Sequence, residues 1–229
     1  MIEGPTLIAE ATEAGVHIDV VYATDAAEVP HNVDQRLIRF VSAGVLSRVL
    51  DTTTPQEVAA VAVPVERGVT AVLDVAIAAG RPILVLDGLA DPGNVGTLLR
   101  SAEASGAAGV IATAGTVDLW SPKVTRSAAG ASFRVPLATG ASLTDIVGAI
   151  PTVALALDGE VTHLDADLGG AVGIVVGNEA RGLSPESAAR CDHRVRIVMD
   201  GPTESLNAAM AGTVVCFEAL RQRRRSPST

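Results

Sequence analysis

The sequence predicts an α/β protein: a small α/β unit over residues 1–66, then a larger domain over 67–229 built on a mostly parallel sheet. Three observations predict it. From Pro82 onward, short apolar runs alternate with stretches of helical periodicity, the pattern of a parallel sheet covered on both faces. Those runs, Ile83-Leu-Val-Leu86 above all, are apolar without interruption, as strands buried on two sides must be. Between the two parts, Val65-Glu66-Arg67-Gly68 reads as a linker.

The elements follow in order. An apolar-periodic stretch after Pro5, through Leu7, Ile8 and Ala11, reads as a helix, and His17-Ile-Asp-Val-Val-Tyr22 as a strand. A helical pattern runs over 37–50. Glu57-Val-Ala-Ala-Val-Ala-Val63 is a further strand, closed by Pro64, and a short helix is expected over 70–79. After the strand at 83–86, Val95, Leu98, Leu99 and Ala102 share one helix face. Val110-Ile111 begins the next strand. Ser121-Pro122 marks a helix start, with Ser as N-cap and Pro at the first helical position. Residues 133–137 read as extended, and Ser142-Leu-Thr-Asp145 as a capping box with Asp in place of Glu. Buried strands are expected at 153–157 and 172–176, a helix capped by Ser184-Pro185-Glu186, and a strand at 194–198. The last helix is expected over 205–223, with Leu206, Met210, Thr213, Phe217 and Leu220 along one seam, and its tail is expected to fray.

Composition bounds the function. With 229 residues, 48% of them hydrophobic and only 2% aromatic, the chain has cores of Val, Leu, Ile and Ala. No apolar run approaches the roughly 18–20 residues of a membrane helix, and the N-terminus lacks a secretion signal, so a cytoplasmic protein without membrane contact is expected. Cys191 and Cys216 lack metal-ligand spacing and read as reduced thiols. His17, His31, His163 and His193 are scattered, so no metal is expected. A net charge of −9 counts against nonspecific nucleic-acid binding but leaves room for a local arginine cluster. The basic residues are nearly all Arg, with Lys123 the only lysine. That suits bidentate phosphate contacts and equally reflects a coding preference. The chain has no Gly-x-Gly-x-x-Gly after a strand, no Walker loop and no Gly-x-Ser-x-Gly elbow, which disfavours a Rossmann-type methyltransferase and a hydrolase.

Ligands of open parallel sheets bind outside the carboxyl ends of the strands. Three polar stretches fall there. Asp91-Pro-Gly-Asn94 makes a turn in which Asn94 can cap the following helix, and Arg100 lies opposite that helix's apolar stripe, where it either pairs with Glu103 or serves a site. Gly177-Asn178-Glu179-Ala-Arg-Gly182-Leu183 follows a buried strand, as an ordinary turn or as a loop a ligand approaches closely. In Arg196-Ile197-Val-Met199 through Thr203-Glu204-Ser205-Leu206-Asn207-Ala208-Ala209, Ser205 reads at the least as a helix cap.

In this order and spacing, the three stretches resemble the motifs of the SpoU (TrmH-like) family of RNA ribose 2′-O-methyltransferases, of the knotted SPOUT class. The resemblance implies a trefoil-knotted domain over 67–229, S-adenosylmethionine as cofactor, and a homodimer whose interface the last helix's seam helps to form. It assigns Asn94, Arg100, Glu179, Ser205 and Asn207 to catalysis, with Asn94 orienting Arg100 and Asn207 within reach of Glu179. It assigns Leu157, Gly177, Ile197, Met199 and Leu206 to the cofactor. A guanidinium is effectively always protonated, so stabilisation of the developing 2′-oxyanion by Arg100 is preferred to proton abstraction, which would need a depressed pKa. Val198 departs from the family, which often has Pro there. Ser121-Pro-Lys123 through Arg134-Val-Pro136 is similar to the family's stretch between the first two motifs, and Lys123, Arg126 and Arg134 are taken as RNA-phosphate contacts or plain surface charges. Residues 1–66 resemble an L30e-like RNA-binding domain, entered directly at its first helix where relatives carry a basic segment and a strand. A shortened start or an absent contact is the expectation. Ribosomal RNA is the preferred substrate, transfer RNA the second, and a non-catalytic RNA-binding protein with the same fold the third reading.

Overall fold

The computed structural model describes residues 1–50, 52 and 54–225; the end of the tail expected to fray lies outside them. The first sheet has four strands, β1 (Ile2–Glu3), β2 (Ile18–Ala23), β3 (Ile38–Phe40) and β4 (Val58–Ala62), in the order β1-β4-β2-β3. Helix α1 (Pro5–Glu13) packs Ile8 and Ala11 against Val21, Val58 and Ala60 to make its core. The helix expected over 37–50 is corrected. Residues 38–40 pair in parallel with β2, and only α2 (Leu46–Val49) is helical. Gly44, at φ 81°, interrupts the helical run, and Ile38 and Phe40 take the strand conformation that β-branched and aromatic residues favour.

The linker is pinned rather than loose. Arg67 N–H donates to Leu137 O at 2.7 Å, and the Thr139 hydroxyl donates to Glu66 at 2.7 Å. Beyond it come α3 (Val69–Ala79), β5 (Ile83–Asp87), α4 (Pro92–Ser105), β6 (Gly109–Thr113), α5 (Pro122–Ala128), α6 (Ala131–Arg134) and β7 (Leu137–Ala141). The chain continues through β8 (Thr152–Leu155), β9 (Val161–Thr162), β10 (Gly173–Gly177), α7 (Pro185–Arg190), β11 (His193–Arg196) and α8 (Ala208–Arg225). The second sheet runs β7-β6-β5-β10-β8-β11-β9, with every pairing parallel. Strand side chains alternate between two cores. Leu84 and Leu86 join α4 and α8 on one side, while Ile83 and Val85 join Val72, Leu73 and Ala76 of α3 on the other.

Four boundaries differ from expectation. Phe133 and Arg134 belong to the turn α6, because Ala129 and Gly130 adopt positive φ and redirect the chain before β7. Strand β8 stops at Leu155, and Leu157 is 67% exposed. Strand β11 stops at Arg196. Helix α8 begins at Ala208, and its buried face is Ala209, Gly212, Val215, Cys216 and Ala219 rather than the seam of larger residues. Small residues let it close on α4 and β10: a Cβ at Gly212 would lie 2.5 Å from Leu98 Cδ2 and 3.2 Å from Val176 Cγ2.

Candidate active site

The carboxyl ends of β5, β10 and β11 carry the three motifs, and side chains tie them together. After β5, Asp91 rather than Asn94 caps α4: its carboxylate accepts from Asn94 N–H at 2.8 Å, with Pro92 at the first helical position. Asp91-Pro92 is the same signal as Ser121-Pro122 and was legible on that ground. The Asn94 amide is thereby left to face across the site.

After β10 the chain folds back on itself. A Cβ on Gly177 would sit 2.4 Å from Gly182 C and from Leu183 N, so only glycine permits the turn. Asn178 holds the loop, its Oδ1 accepting from Ala180 N–H at 3.0 Å and Arg181 N–H at 3.3 Å, and its Nδ2 donating to Gly88 O at 2.9 Å. This is the turn role that the Gly-Asn pair signals in the sequence. Glu179 receives Asp91 N–H at 2.9 Å, Ala90 N–H at 3.2 Å, Asn94 Nδ2 at 3.2 Å and Asn178 Nδ2 at 3.3 Å. Burial pushes the Glu179 carboxyl up, but the backbone donors of Asp91 and Ala90 and the Asn94 amide outweigh it, and its pKa lies below the ordinary value.

Asn207 caps α8, accepting from Ala209 N–H at 2.9 Å and Met210 N–H at 3.2 Å, so Ser205 is not the cap. Its Nδ2 donates to Asn94 Oδ1 at 3.0 Å. Glu179, Asn94 and Asn207 therefore form one hydrogen-bonded chain across all three motifs. Asn207 reaches Glu179 through Asn94 rather than directly, and among the described residues Asn94 makes no hydrogen bond to Arg100. Arg100 is exposed on α4, with no hydrogen bond or ion pair to any described residue; Glu103 pairs with Arg134 instead.

The expected cofactor residues divide by position. Gly177 is buried, Ile197 packs against the main core, Met199 is half-buried, and Leu206 and Leu157 are exposed. Among the described residues, the backbone of 199–206 makes no hydrogen bond, and Ser205 is exposed and unpartnered. The unbonded backbone of 199–206 and the glycine turn at 177, which has no room for a side chain, leave main-chain donors and acceptors open to a ligand. Of the expected phosphate contacts, Lys123 is exposed and lines a cleft of about 630 Å³ with Glu3, Thr52, Gln56 and Arg126. Arg126 is paired with Glu3 at 3.0 Å. Arg134 is paired with Glu10 and Glu103, hydrogen bonds that hold its pKa above the ordinary arginine value.

The comparisons with known proteins agree with this geometry. The SpoU rRNA Methylase family matches residues 81–217. The 23S rRNA (guanosine(2553)-2′-O)-methyltransferase RlmP of Bacillus subtilis (strain 168) is 28% identical over 95% of this chain and 86% of its own length. An uncharacterized tRNA/rRNA methyltransferase of Mycobacterium sp. (strain KMS) is 40% identical over 66% of this chain, which spans 51% of that protein. The crystal structure of the SpoU methyltransferase AviRb from Streptomyces viridochromogenes, in complex with the cofactor AdoMet, superposes with a TM-score of 0.82 at 29% identity, covering 97% of this chain and 89% of that one. Motifs, sheet order and relatives converge, and the chain belongs to the SpoU rRNA methylase family.

Proposed function

We propose that this protein is an S-adenosylmethionine-dependent methyltransferase that modifies a ribose 2′-hydroxyl in ribosomal RNA. The observation that carries the proposal is the Glu179–Asn94–Asn207 chain, which ties the three motif loops to one another, with Arg100 exposed on the same helix that carries Asn94. S-adenosylmethionine supplies the methyl group when bound. Gly177, Ile197, Met199 and Leu206, with the open backbone of 199–206, are the residues that would hold it, and Leu157, just beyond β8, is the further candidate. Arg100 stabilises negative charge building on the 2′ oxygen as its proton passes to solvent water. Glu179, Asn94 and Asn207 keep the loops in register, which is positioning rather than proton transfer. Ser205 offers its unpartnered hydroxyl to the ribose, and Lys123 is the candidate phosphate contact in the cleft it lines with Glu3 and Arg126.

Residues 1–66 act as an L30e-like recognition domain in this reading, and 67–229 as the catalytic domain. A trefoil knot in the catalytic domain is part of this reading and rests on the likeness to SpoU methyltransferase structures. Strand β10 inserts between β5 and β8, and α8 returns across α4, where Arg223 donates to Gly106 O at 3.1 Å and Gln222 brackets Ala166 O at 2.9 Å and Leu168 N–H at 2.8 Å. A homodimer is supported by Leu206, Met210, Val214 and Phe217, which α8 and its lead-in leave exposed. No helix among the described residues is long and apolar enough to cross a membrane, and a cytoplasmic location follows from the RNA substrate. The test is transfer of labelled methyl from S-adenosylmethionine to purified rRNA and, separately, tRNA. Label in rRNA supports the proposal. Label in tRNA alone moves the substrate to the second reading, and bound cofactor without label in either contradicts the enzyme.

A further inference from the structure

We propose that Arg126 and Arg134 are positioning residues. They close a fixed joint that holds the N-terminal unit against the catalytic domain, and this joint sets where bound RNA meets Asn94 and Arg100. The inference rests on the methyltransferase reading above. Two units joined by a linker move relative to one another by default, unless their interface is extensive and apolar. Here the linker is pinned to β7, and the interface has both an apolar centre and charged edges.

The centre is aromatic in a chain that has few aromatic residues. Phe133 stacks on Trp120 with ring centroids 6.4 Å apart and packs against the core of the N-terminal unit. The two rings line a small crevice with Met1, Ile2 and Val16. On one edge, Arg126 pairs at 3.0 Å with Glu3, whose side chain is only 4% exposed. The other Glu3 oxygen accepts from the Thr52 hydroxyl and Gln56 N–H, each at 3.0 Å. On the other edge, Arg134 bridges Glu10 of the N-terminal unit and Glu103 of α4. Glu10 rests on bare backbone: a Cβ at Gly130 would lie 1.9 Å from its Oε2.

The joint reaches the site through α5. Ser127, next to Arg126, donates to Gly93 O at 3.2 Å, and Gly93 precedes Asn94. The helix that carries Arg126 is thus bonded to the turn that carries Asn94, which fixes the place of the N-terminal unit relative to the site. Both guanidiniums already face carboxylates, so their charge is matched within the protein before any phosphate arrives.

Charge removal on the acidic side separates a clamp from an RNA ligand, because the two predict opposite signs. The experiment compares Glu10→Gln, Arg134→Gln and the uncharged Phe133→Leu in the full chain, leaving the buried Glu3 intact so that the variants fold. Methyl transfer to a 23S rRNA transcript gives KM and kcat, calorimetry gives the S-adenosylmethionine Kd, and hydrogen exchange reports α1 and β1. The expected result is a rise in RNA KM of about tenfold for all three variants, with kcat and cofactor Kd unchanged and faster exchange at the seam. A lower KM for Glu10→Gln beside a higher one for Arg134→Gln makes Arg134 a phosphate ligand and overturns the joint. So does an unchanged KM and exchange for Phe133→Leu. If the wild-type protein transfers no methyl, the functional reading fails by itself. Hydrogen exchange then decides the joint alone: faster seam exchange in the variants supports it, and unchanged exchange rejects it.

Discussion

At the scale of the residue, Asn94 decides whether three loops make one site. One face of its amide donates to Glu179 and the other accepts from Asn207, so Asn94→Ala unties both at once. The expected outcome is a loss of about 1–2 kcal/mol of stability, seen by denaturant titration, and a larger fractional loss of kcat than of cofactor affinity. Arg100 differs in kind, since no described residue depends on it. Arg100→Ala is expected to lower methyl transfer by about 10²–10³-fold with melting temperature and S-adenosylmethionine affinity unchanged. Glu179 makes the site sensitive to acid. Its folded pKa lies below the ordinary 4.5, so its stabilising contribution is full above that value and is lost as pH falls through the folded pKa. Glu179→Gln is therefore expected to melt below wild type at pH 7, with the gap closing as the melts are repeated at falling pH below 4.5. The residue types of the site were legible from their motif spacing, but their pairings were not. Spacing along a chain does not say that Asp91 rather than Asn94 caps α4, which alone leaves the Asn94 amide free to reach Glu179 and Asn207.

At the scale of the element, close packing of helices on the sheet makes the site rigid. Helix α4 meets α5 so tightly that a Cβ on Gly96 would sit 2.3 Å from Ser127 Cβ and 2.7 Å from its carbonyl carbon. Gly96→Ala adds one methyl group and is expected to cost about 1–3 kcal/mol in denaturant titration, moving α4 and the Asn94 it carries. The parallel sheet was legible because apolar runs such as 83–86 admit one reading, a strand covered on both faces. The stretch over 37–50 was not, because short segments mixing Ile, Phe and Leu satisfy both periodicities, and the β2 edge that decides for β3 is distant in sequence. Helix α8 shows a related limit. Its larger apolar residues were read as one seam, yet its core face is built from small ones, and only the proximity of α4 and β10 makes small residues the better packers.

At the scale of the molecule, the sites proposed for cofactor, RNA and partner subunit lie around one end of a seven-stranded sheet and the helix that crosses it. The exposed seam of α8, with Met210 61% and Phe217 45% exposed, has the character of an interface. Phe217→Asp is expected to convert a dimer to a monomer in light scattering and to depress methyl transfer with it; an unchanged mass would remove α8 from the interface. The acidic net charge of −9 counts against nonspecific RNA binding, in keeping with the proposal that the N-terminal unit sets where RNA is held. The most direct test of ribose chemistry is alkaline hydrolysis of rRNA labelled by this protein, because a 2′-O-methyl group blocks cleavage at its own linkage. The account predicts label confined to one alkali-resistant dinucleotide with wild-type protein, and its initial rate of appearance lowered by about 10²–10³-fold with Arg100→Ala. Label released in mononucleotides would place the methyl on a base and contradict the assignment.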